Sequence, residues 1–223
     1  MTEPDGTSAA PLLSRPRRIP RPMPVIIMAD TSGSMDGEKI AILNRSMATM
    51  VAAFAAEDSA RGEIHVAVIA FGGDKAVLHQ SMCPASRARW TDLTPRGRTP
   101  MGDAFDVVTA VLSDPDAVPE RAFPPTLVLV SDGMPTDDWE ASLDSLIESP
   151  AGGRSMRLAI GVGADRTAES DEVLSAFSTP GLEVMRTDQV HEIARLFRWV
   201  TATVTGALHA RTGQQAVRLA DLD

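Results

Sequence analysis

The chain has 223 residues, of which 43% are hydrophobic and 23% are charged, and it carries a formal net charge of −9 at pH 7. This composition is typical of one globular domain of the larger kind, and a negative charge of this size argues against general binding to phosphate backbones. No stretch approaches the roughly eighteen apolar residues that would span a membrane, and a single cysteine, Cys83, excludes an internal disulfide and a thiolate zinc site.

The N-terminal part of the chain is rich in Pro, Arg and small polar residues, and it lacks the apolar core of a secretory signal peptide. The run RPRRIPRP favours an extended conformation, because proline fixes its own backbone and restricts the residue before it. We therefore predict a flexible segment at residues 1–22, a folded domain at 23–209 and a loose tail at 210–223. The missing export signal and the single cysteine predict a soluble, cytoplasmic protein without membrane insertion.

Strand-like and helix-like segments alternate from Val25 onward. Apolar residues at intervals of three and four predict the helices, and β-branched runs bounded by turn residues predict the strands. The predicted strands are residues 25–29, 64–71, 76–80, 126–131, 156–163 and 182–187. The predicted helices are residues 38–57, 99–114, 139–149, 171–178 and 190–210.

This order of elements predicts the fold class. Strands that are separated by helices require crossover connections, so we expect an α/β domain with a doubly wound, mostly parallel sheet and helices on both faces. The segment GGDK at residues 72–75 predicts a hairpin turn, which makes residues 76–80 an antiparallel edge strand. In such sheets ligands collect beyond the carboxyl ends of the strands, where the strand order reverses.

Oxygen-bearing side chains cluster in three loops that could reach this edge. Asp30, Ser32 and Ser34 follow the first strand, Thr99 precedes a helix, and Asp132 follows the strand at residues 126–131. Taken singly, each residue has a structural alternative as a turn former or a helix cap, and Thr99 is placed to cap its helix with Pro100 in the first turn. Together they offer two carboxylates and three hydroxyls without His or Cys, a donor set that suits Mg²⁺ far better than zinc or copper.

The same pattern resembles the von Willebrand factor A (vWA) family, whose metal-ion-dependent adhesion site (MIDAS) combines Asp-x-Ser-x-Ser with a Thr on a second loop and an Asp on a third. All five positions are filled here, by Asp30, Ser32, Ser34, Thr99 and Asp132. The resemblance covers about residues 20–208 and implies that the three hydroxyls ligate Mg²⁺ directly, or Mn²⁺ in its place, with the two acids acting directly or through water. It also implies that an Asp or Glu of a partner protein completes the coordination.

Further segments are similar to the stand-alone bacterial vWA proteins of the tellurite-resistance and stress type, namely RIPRPMPVIIMADTSGSMDGEKI, GRTPMGDA, VSDGMPTDDWE and LFRWVTATV. In those systems the vWA protein is typically encoded beside a protein phosphatase and a protein kinase. The resemblance therefore implies an adaptor or scaffold in bacterial stress response, signalling or defence, with a kinase or phosphatase as a candidate partner. Arg96 and Arg98 are candidates to attract an acidic partner, and the alternative is that they merely face water.

A metal-dependent phosphohydrolase that uses Asp30 and Asp132 is the alternative function. Phosphatases with an aspartyl nucleophile carry the motif Asp-x-Asp at the end of a strand. In this chain Ser32 stands at the position of the second Asp, so the usual general acid is absent from the motif. A metal-assisted hydrolase that uses Asp132, Asp137 and Asp138 is a further alternative. We expect Asp137 and Asp138 instead to begin the helix at Trp139, because the positive end of a helix favours acids. We therefore predict a binding protein rather than an enzyme.

Overall fold

The computed structural model describes residues 20–57, 62–163 and 167–209. Within these residues the chain forms a six-stranded sheet in the order β3-β2-β1-β4-β5-β6. The strands are β1 Arg21–Asp30, β2 Gly62–Gly72, β3 Lys75–Pro84, β4 Thr126–Ser131, β5 Met156–Val162 and β6 Met185–Thr187. All neighbouring strands are parallel except β2 and β3. The predicted α/β fold, with one antiparallel edge strand, is confirmed.

Helices cover both faces of this sheet. They are α1 Glu38–Ala56, α2 Met101–Ser113, α3 Glu140–Glu148, α4 Ala168–Phe177 and α5 Ile193–His209. Every residue of β1 after Arg21 is buried, as expected for a central parallel strand that is covered on both sides. Alternate residues of the strand point to opposite faces, so Ile27 packs with α1 and α5 while Ile26 packs with α2, α3 and α4.

The first strand begins earlier than the sequence predicts. Arg21 already pairs with Gly62 of β2, and its guanidinium donates to the carbonyl oxygen of Ala122 at 3.1 Å and lies 4.2 Å from the ring centre of Phe123. The end of the segment that we predicted to be flexible is therefore part of the sheet. Pairing with β4 starts only at Val25. Pro22 and Pro24 therefore lie where β1 pairs with β2 alone, so their missing N–H groups interrupt no hydrogen bonds to β4.

The rest of the predicted N-terminal segment, residues 1–19, and the predicted tail at 210–223 lie outside the described residues. Among the helices that the structure describes, none combines the length and the apolar character needed to cross a membrane.

The start of α2 differs from the prediction. Its N-cap is Pro100, and no side chain within the described residues caps it from that position, so Thr99 is not the cap. Instead the carboxylate of Asp137 accepts hydrogen bonds from the N–H groups of Gly102 at 3.1 Å and Asp103 at 3.0 Å. Asp137 thus stabilises the positive end of α2. The sequence had predicted that it stabilises the start of the next helix, α3.

This cap requires contact between the start of α2 and the segment around Asp137 and Asp138. A Cβ atom at Gly102 would lie only 2.4 Å from the carbonyl oxygen of Asp138, so glycine is the residue that lets the backbones approach. The contact ties the loop after β4 to the loop that carries Thr99.

Candidate metal centre at the carboxyl edge of the sheet

The candidate site lies where the strand order reverses. The chain runs outward from β1 to β2 and β3 on one side, and β4, β5 and β6 continue on the other. Loops after β1 and β4 therefore leave the sheet on either side of one crevice, the usual ligand position in doubly wound sheets. Asp30 ends β1, and Asp132 follows the last residue of β4.

Asp30 is fixed by hydrogen bonds from both of these loops. Its Oδ1 accepts from the backbone N–H of Ser32 at 2.7 Å, and its Oδ2 accepts from the hydroxyl of Ser131 at 2.5 Å. Asp30 has no exposed surface. Ser32 and Ser131, which lie far apart in the sequence, therefore hold one buried carboxylate between them.

A chain of hydroxyl groups leads from this carboxylate to the second one. The oxygens of Ser32 and Ser34 are 2.9 Å apart, and the Ser34 hydroxyl donates to Oδ1 of Asp132 at 2.7 Å. Because the Ser34 proton is used in that bond, Ser32 is the donor to Ser34. The Asp132 side chain is itself 1% exposed.

Thr99 joins the same cluster from the third loop. A Cβ atom placed at Gly133 would lie 3.8 Å from both Ser34 Oγ and Thr99 Oγ1, so the two hydroxyls face one small space beside Gly133. The backbone of Thr99 is held by Thr136, whose hydroxyl accepts from the Thr99 N–H at 3.1 Å and whose N–H donates to the Thr99 carbonyl at 3.0 Å. The structure thus brings all five predicted residues together.

Backbone contacts between loops keep these groups in place. The Thr31 carbonyl accepts from the N–H of Arg96 at 2.7 Å, and the N–H of Gly33 donates to the Gly97 carbonyl at 3.0 Å. Gly97 has a φ of +60°, and a Cβ there would lie 2.6 Å from the Cα of Gly73. Three loops are therefore packed backbone to backbone, which only glycine permits at the closest points.

Arg96 and Arg98 lie on the exposed rim next to Thr99. Arg98 donates to the carbonyl oxygen of Thr136 at 3.3 Å, and the side chain of Arg96 packs beside Gly73. Both guanidinium groups keep donors free to meet another molecule, because Arg carries five N–H donors. Their role toward a partner stays a prediction.

Burial raises the pKa of Asp30 to about 6. The hydrogen bonds from Ser131 and Ser32 lower this pKa, and the neighbouring charge of Asp132 raises it, but desolvation is the largest cause. A bound cation would offset that desolvation by favouring the charged form of the carboxylate.

Sequence reasoning missed two residues of the site. The ammonium group of Lys39, in the first turn of α1, forms an ion pair with Asp132 Oδ2 and donates to the carbonyl of Ser34 at 3.2 Å. A cation at a helix N-terminus is unfavourable by itself. The lysine in the first turn of α1 could therefore have predicted a carboxylate nearby. Ser131 was missed because its role toward Asp30 depends on two distant strands lying side by side.

The donor set fits a hard divalent cation. The described part of the chain contains no group of three or more His, Cys, Asp or Glu side chains that could hold a metal, so any metal here depends on hydroxyl oxygens as well as the two acids. Oxygen donors of this kind suit Mg²⁺ and Mn²⁺. The ion pair between Lys39 and Asp132 shows that Asp132 already stabilises a positive charge next to the candidate metal position.

Comparison with known proteins agrees with this geometry. Residues 25–134 match the family model of the von Willebrand factor type A domain, a range that includes all five predicted positions. This part of the chain is therefore similar to a vWA domain. No curated protein sequence matches the chain.

Solved vWA structures share the fold at low identity. The vWA protein of Catenulispora acidiphila is 22% identical, with a TM-score of 0.59, over 84% of this chain and 43% of its own. Proximal thread matrix protein 1 from the mussel byssus, in a structure with a zinc-occupied MIDAS motif, is 17% identical, with a TM-score of 0.60, over 85% of this chain and 46% of its own. The present chain therefore spans less than half the length of these proteins.

A shorter relative covers the same domain. The vWF domain of the type V pili tip protein Mfa5 from Porphyromonas gingivalis is 11% identical, with a TM-score of 0.67, over 87% of this chain and 98% of its own. These identities support the fold alone.

Proposed function

We propose that this vWA domain is a Mg²⁺-dependent protein-interaction module rather than an enzyme. The observation that carries the proposal is the linked set of oxygen donors running from Asp30 through Ser32 and Ser34 to Asp132, with Thr99 beside them. In it Ser32, Ser34 and Thr99 would hold the metal directly, and the two acids would do so directly or through water. The mussel relative holds zinc, but a donor set without His or Cys favours Mg²⁺, with Mn²⁺ as the substitute.

The partner would supply an Asp or Glu carboxylate to the metal. Two opposite unit charges about 4 Å apart gain roughly 4 kcal/mol at an effective dielectric near 20, which corresponds to an affinity of only about 1 mM. A surrounding interface of roughly 800 Å² on each side must therefore contribute. Arg96 and Arg98 would attract the acidic partner, and Met134, 42% exposed and next to Gly133, offers apolar contact on the same rim.

The geometry disfavours the phosphohydrolase. Both oxygens of Asp30 accept internal hydrogen bonds and the side chain has no exposed surface, so it is not free to attack a phosphate. Ser32 stands where a general acid is needed. Steady turnover of p-nitrophenyl phosphate by the purified chain, lost in Asp132→Ala, would overturn the non-enzymatic proposal.

The test of the interaction module has two stages. In isothermal titration with MgCl₂, we expect one site in the wild-type chain and none in Asp30→Ala or Thr99→Ala. Circular dichroism should show that each variant keeps its fold, and Asp106→Ala, an exposed acid on α2, is the matched control that should bind like the wild type.

The second stage addresses the partner. We propose a cytoplasmic adaptor in bacterial stress response, signalling or defence, and the protein kinase or phosphatase encoded near related proteins is the first candidate. Its capture by the wild-type chain should require Mg²⁺ and should be lost in Thr99→Ala. Capture that persists in EDTA would contradict a metal-mediated contact.

A further inference from the structure

A cavity of about 320 Å³ lies between α1 and α5 and contains none of the five predicted metal-site residues. Its volume falls in the range of small-molecule sites, roughly 300–1,000 Å³. Apolar side chains form much of its lining, namely Ile42, Met50, Ala194 and Phe197. Such a lining can hold a hydrocarbon group.

The ionisable residues that line this cavity are all basic. Arg45, Arg198 and His191 line it, and no Asp or Glu does, although the whole chain carries a net charge of −9. All three residues are exposed, and within the described residues none of their side chains has a hydrogen bond or an ion pair. Two arginines without an ion pair beside an apolar cavity offer charge-assisted hydrogen bonds to an anionic ligand.

A buried hydroxyl in the cavity wall also lacks a partner. Ser46 is 5% exposed, and among the described residues its Oγ has no hydrogen-bond partner. The other two hydroxyls of the lining bond to their own helices: Thr49 donates to the carbonyl of Arg45 at 2.9 Å, and Thr201 to that of Phe197 at 2.8 Å. The Ser46 Oγ has less than 1 Å² of accessible surface, so it lies behind the lining and the cavity's ligand contacts depend on the arginines and the apolar side chains.

We propose that this cavity binds a small amphipathic carboxylate, a fatty-acid-like molecule with a chain of moderate length. Arg45 and Arg198 bind the carboxylate, and the apolar lining holds the hydrocarbon chain. The site is separate from the proposed metal centre, so its ligand binds without Mg²⁺.

The test uses decanoate below its micelle-forming concentration, titrated calorimetrically into the full chain in EDTA. We expect saturable binding of one molecule per chain and weakening by about tenfold in Arg45→Gln and in Arg198→Gln, since each removes a charge-assisted hydrogen bond. Arg89→Gln, an exposed arginine outside the cavity, should bind like the wild type, and Asp30→Ala should do so too.

Two further measurements distinguish binding at this site from nonspecific hydrophobic binding. Decyltrimethylammonium has the same chain with the opposite charge, and acetate has the same charge without the chain, so neither should bind measurably. Ala194→Trp should fill the cavity and abolish decanoate binding, and the substitutions at exposed Arg45 and Arg198 test the proposal even if that variant does not fold.

Three results would overturn the proposal. One is the absence of saturable decanoate binding, and another is equal binding of decanoate and decyltrimethylammonium. The third is decanoate binding that appears only after Leu219 and Leu222 are replaced by Ser, because it would identify the chain's own residues 210–223 as the occupant.

Discussion

The carboxyl group of Asp30 is held between two loops by hydrogen bonds from Ser32 and Ser131 and has no contact with solvent. Removing a carboxylate from water disfavours its charged form, which is why the pKa rises. Lys39 adds an ammonium group on the other side of the site, against Asp132. At the scale of single residues, the two acids therefore differ: desolvation raises the pKa of Asp30, whereas Asp132 forms an ion pair with Lys39.

The raised pKa of Asp30 predicts a pH-dependent stability of the metal-free protein. A carboxyl group whose pKa rises from 3.8 unfolded to about 6 folded stabilises the fold below pH 3.8, and this contribution is lost as the pH rises through 6. The difference corresponds to about 3 kcal/mol at neutral pH. In EDTA at pH 7.5, Asp30→Asn should therefore be more stable than the wild type by up to about that amount, with the gap shrinking toward pH 4.

Urea unfolding of both proteins at several pH values measures this difference, and titrations of other groups cancel between them. The Asn side chain can accept from Ser32 and donate to Ser131, so the local hydrogen bonds are kept. An Asn variant less stable than the wild type at pH 7.5 would contradict the assigned burial cost.

Lys39 should lower the affinity of the site for Mg²⁺, because an incoming cation must displace or repel its ammonium group from Asp132. We expect Lys39→Met to raise the affinity by about tenfold in calorimetric titration, the equivalent of one charge-assisted hydrogen bond. Lys75→Met is the matched control, since Lys75 is exposed at the start of β3. Weaker Mg²⁺ binding in Lys39→Met would show instead that Lys39 holds Asp132 in its binding position.

At the scale of elements, the loop after β4 and the start of α2 form one unit. Asp137 accepts from the first N–H groups of α2, and Thr136 holds the backbone of Thr99. The close approach at Gly102 makes both contacts geometrically accessible. The position of the Thr99 hydroxyl is therefore decided by a segment that comes more than thirty residues later.

This arrangement predicts different effects for two adjacent acids. Asp137→Ala removes the cap of α2 and should lower the free energy of unfolding by about 1 kcal/mol, while Asp138→Ala should change it by less than about 0.5 kcal/mol. Urea unfolding measures both, and Mg²⁺ titration should show weaker binding only in Asp137→Ala. Equal losses in the two variants would mean that the acids act through their charge near α3.

At the scale of the whole molecule, the strand order determines which loops can meet. The reversal between β1 and β4 opens a crevice at one edge of the sheet, and the close packing of glycines beside it brings in the third loop. The molecule is acidic overall, yet exposed arginines stand at the rim of this crevice and at the cavity between α1 and α5. These arginines are the reason why we propose anionic partners for both regions of an otherwise acidic protein.

The sequence by itself determined the fold class and the five candidate residues. The alternation of β-branched runs with amphipathic segments is local information, and so is the Asp-x-Ser-x-Ser spacing after β1. Strand and helix bounds were less well determined, as the early start of β1 at Arg21 shows, because pairing with β2 and contact with Phe123 extend the strand.

Only the tertiary structure decided how the site works as a unit. The bond from Ser131 to Asp30, the ion pair between Lys39 and Asp132 and the cap of α2 by Asp137 all join residues far apart in the chain. No periodicity or motif encodes such pairs. They arise because the strand order places the ends of β1 and β4 side by side, and the same packing of α1 against α5 creates the basic cavity.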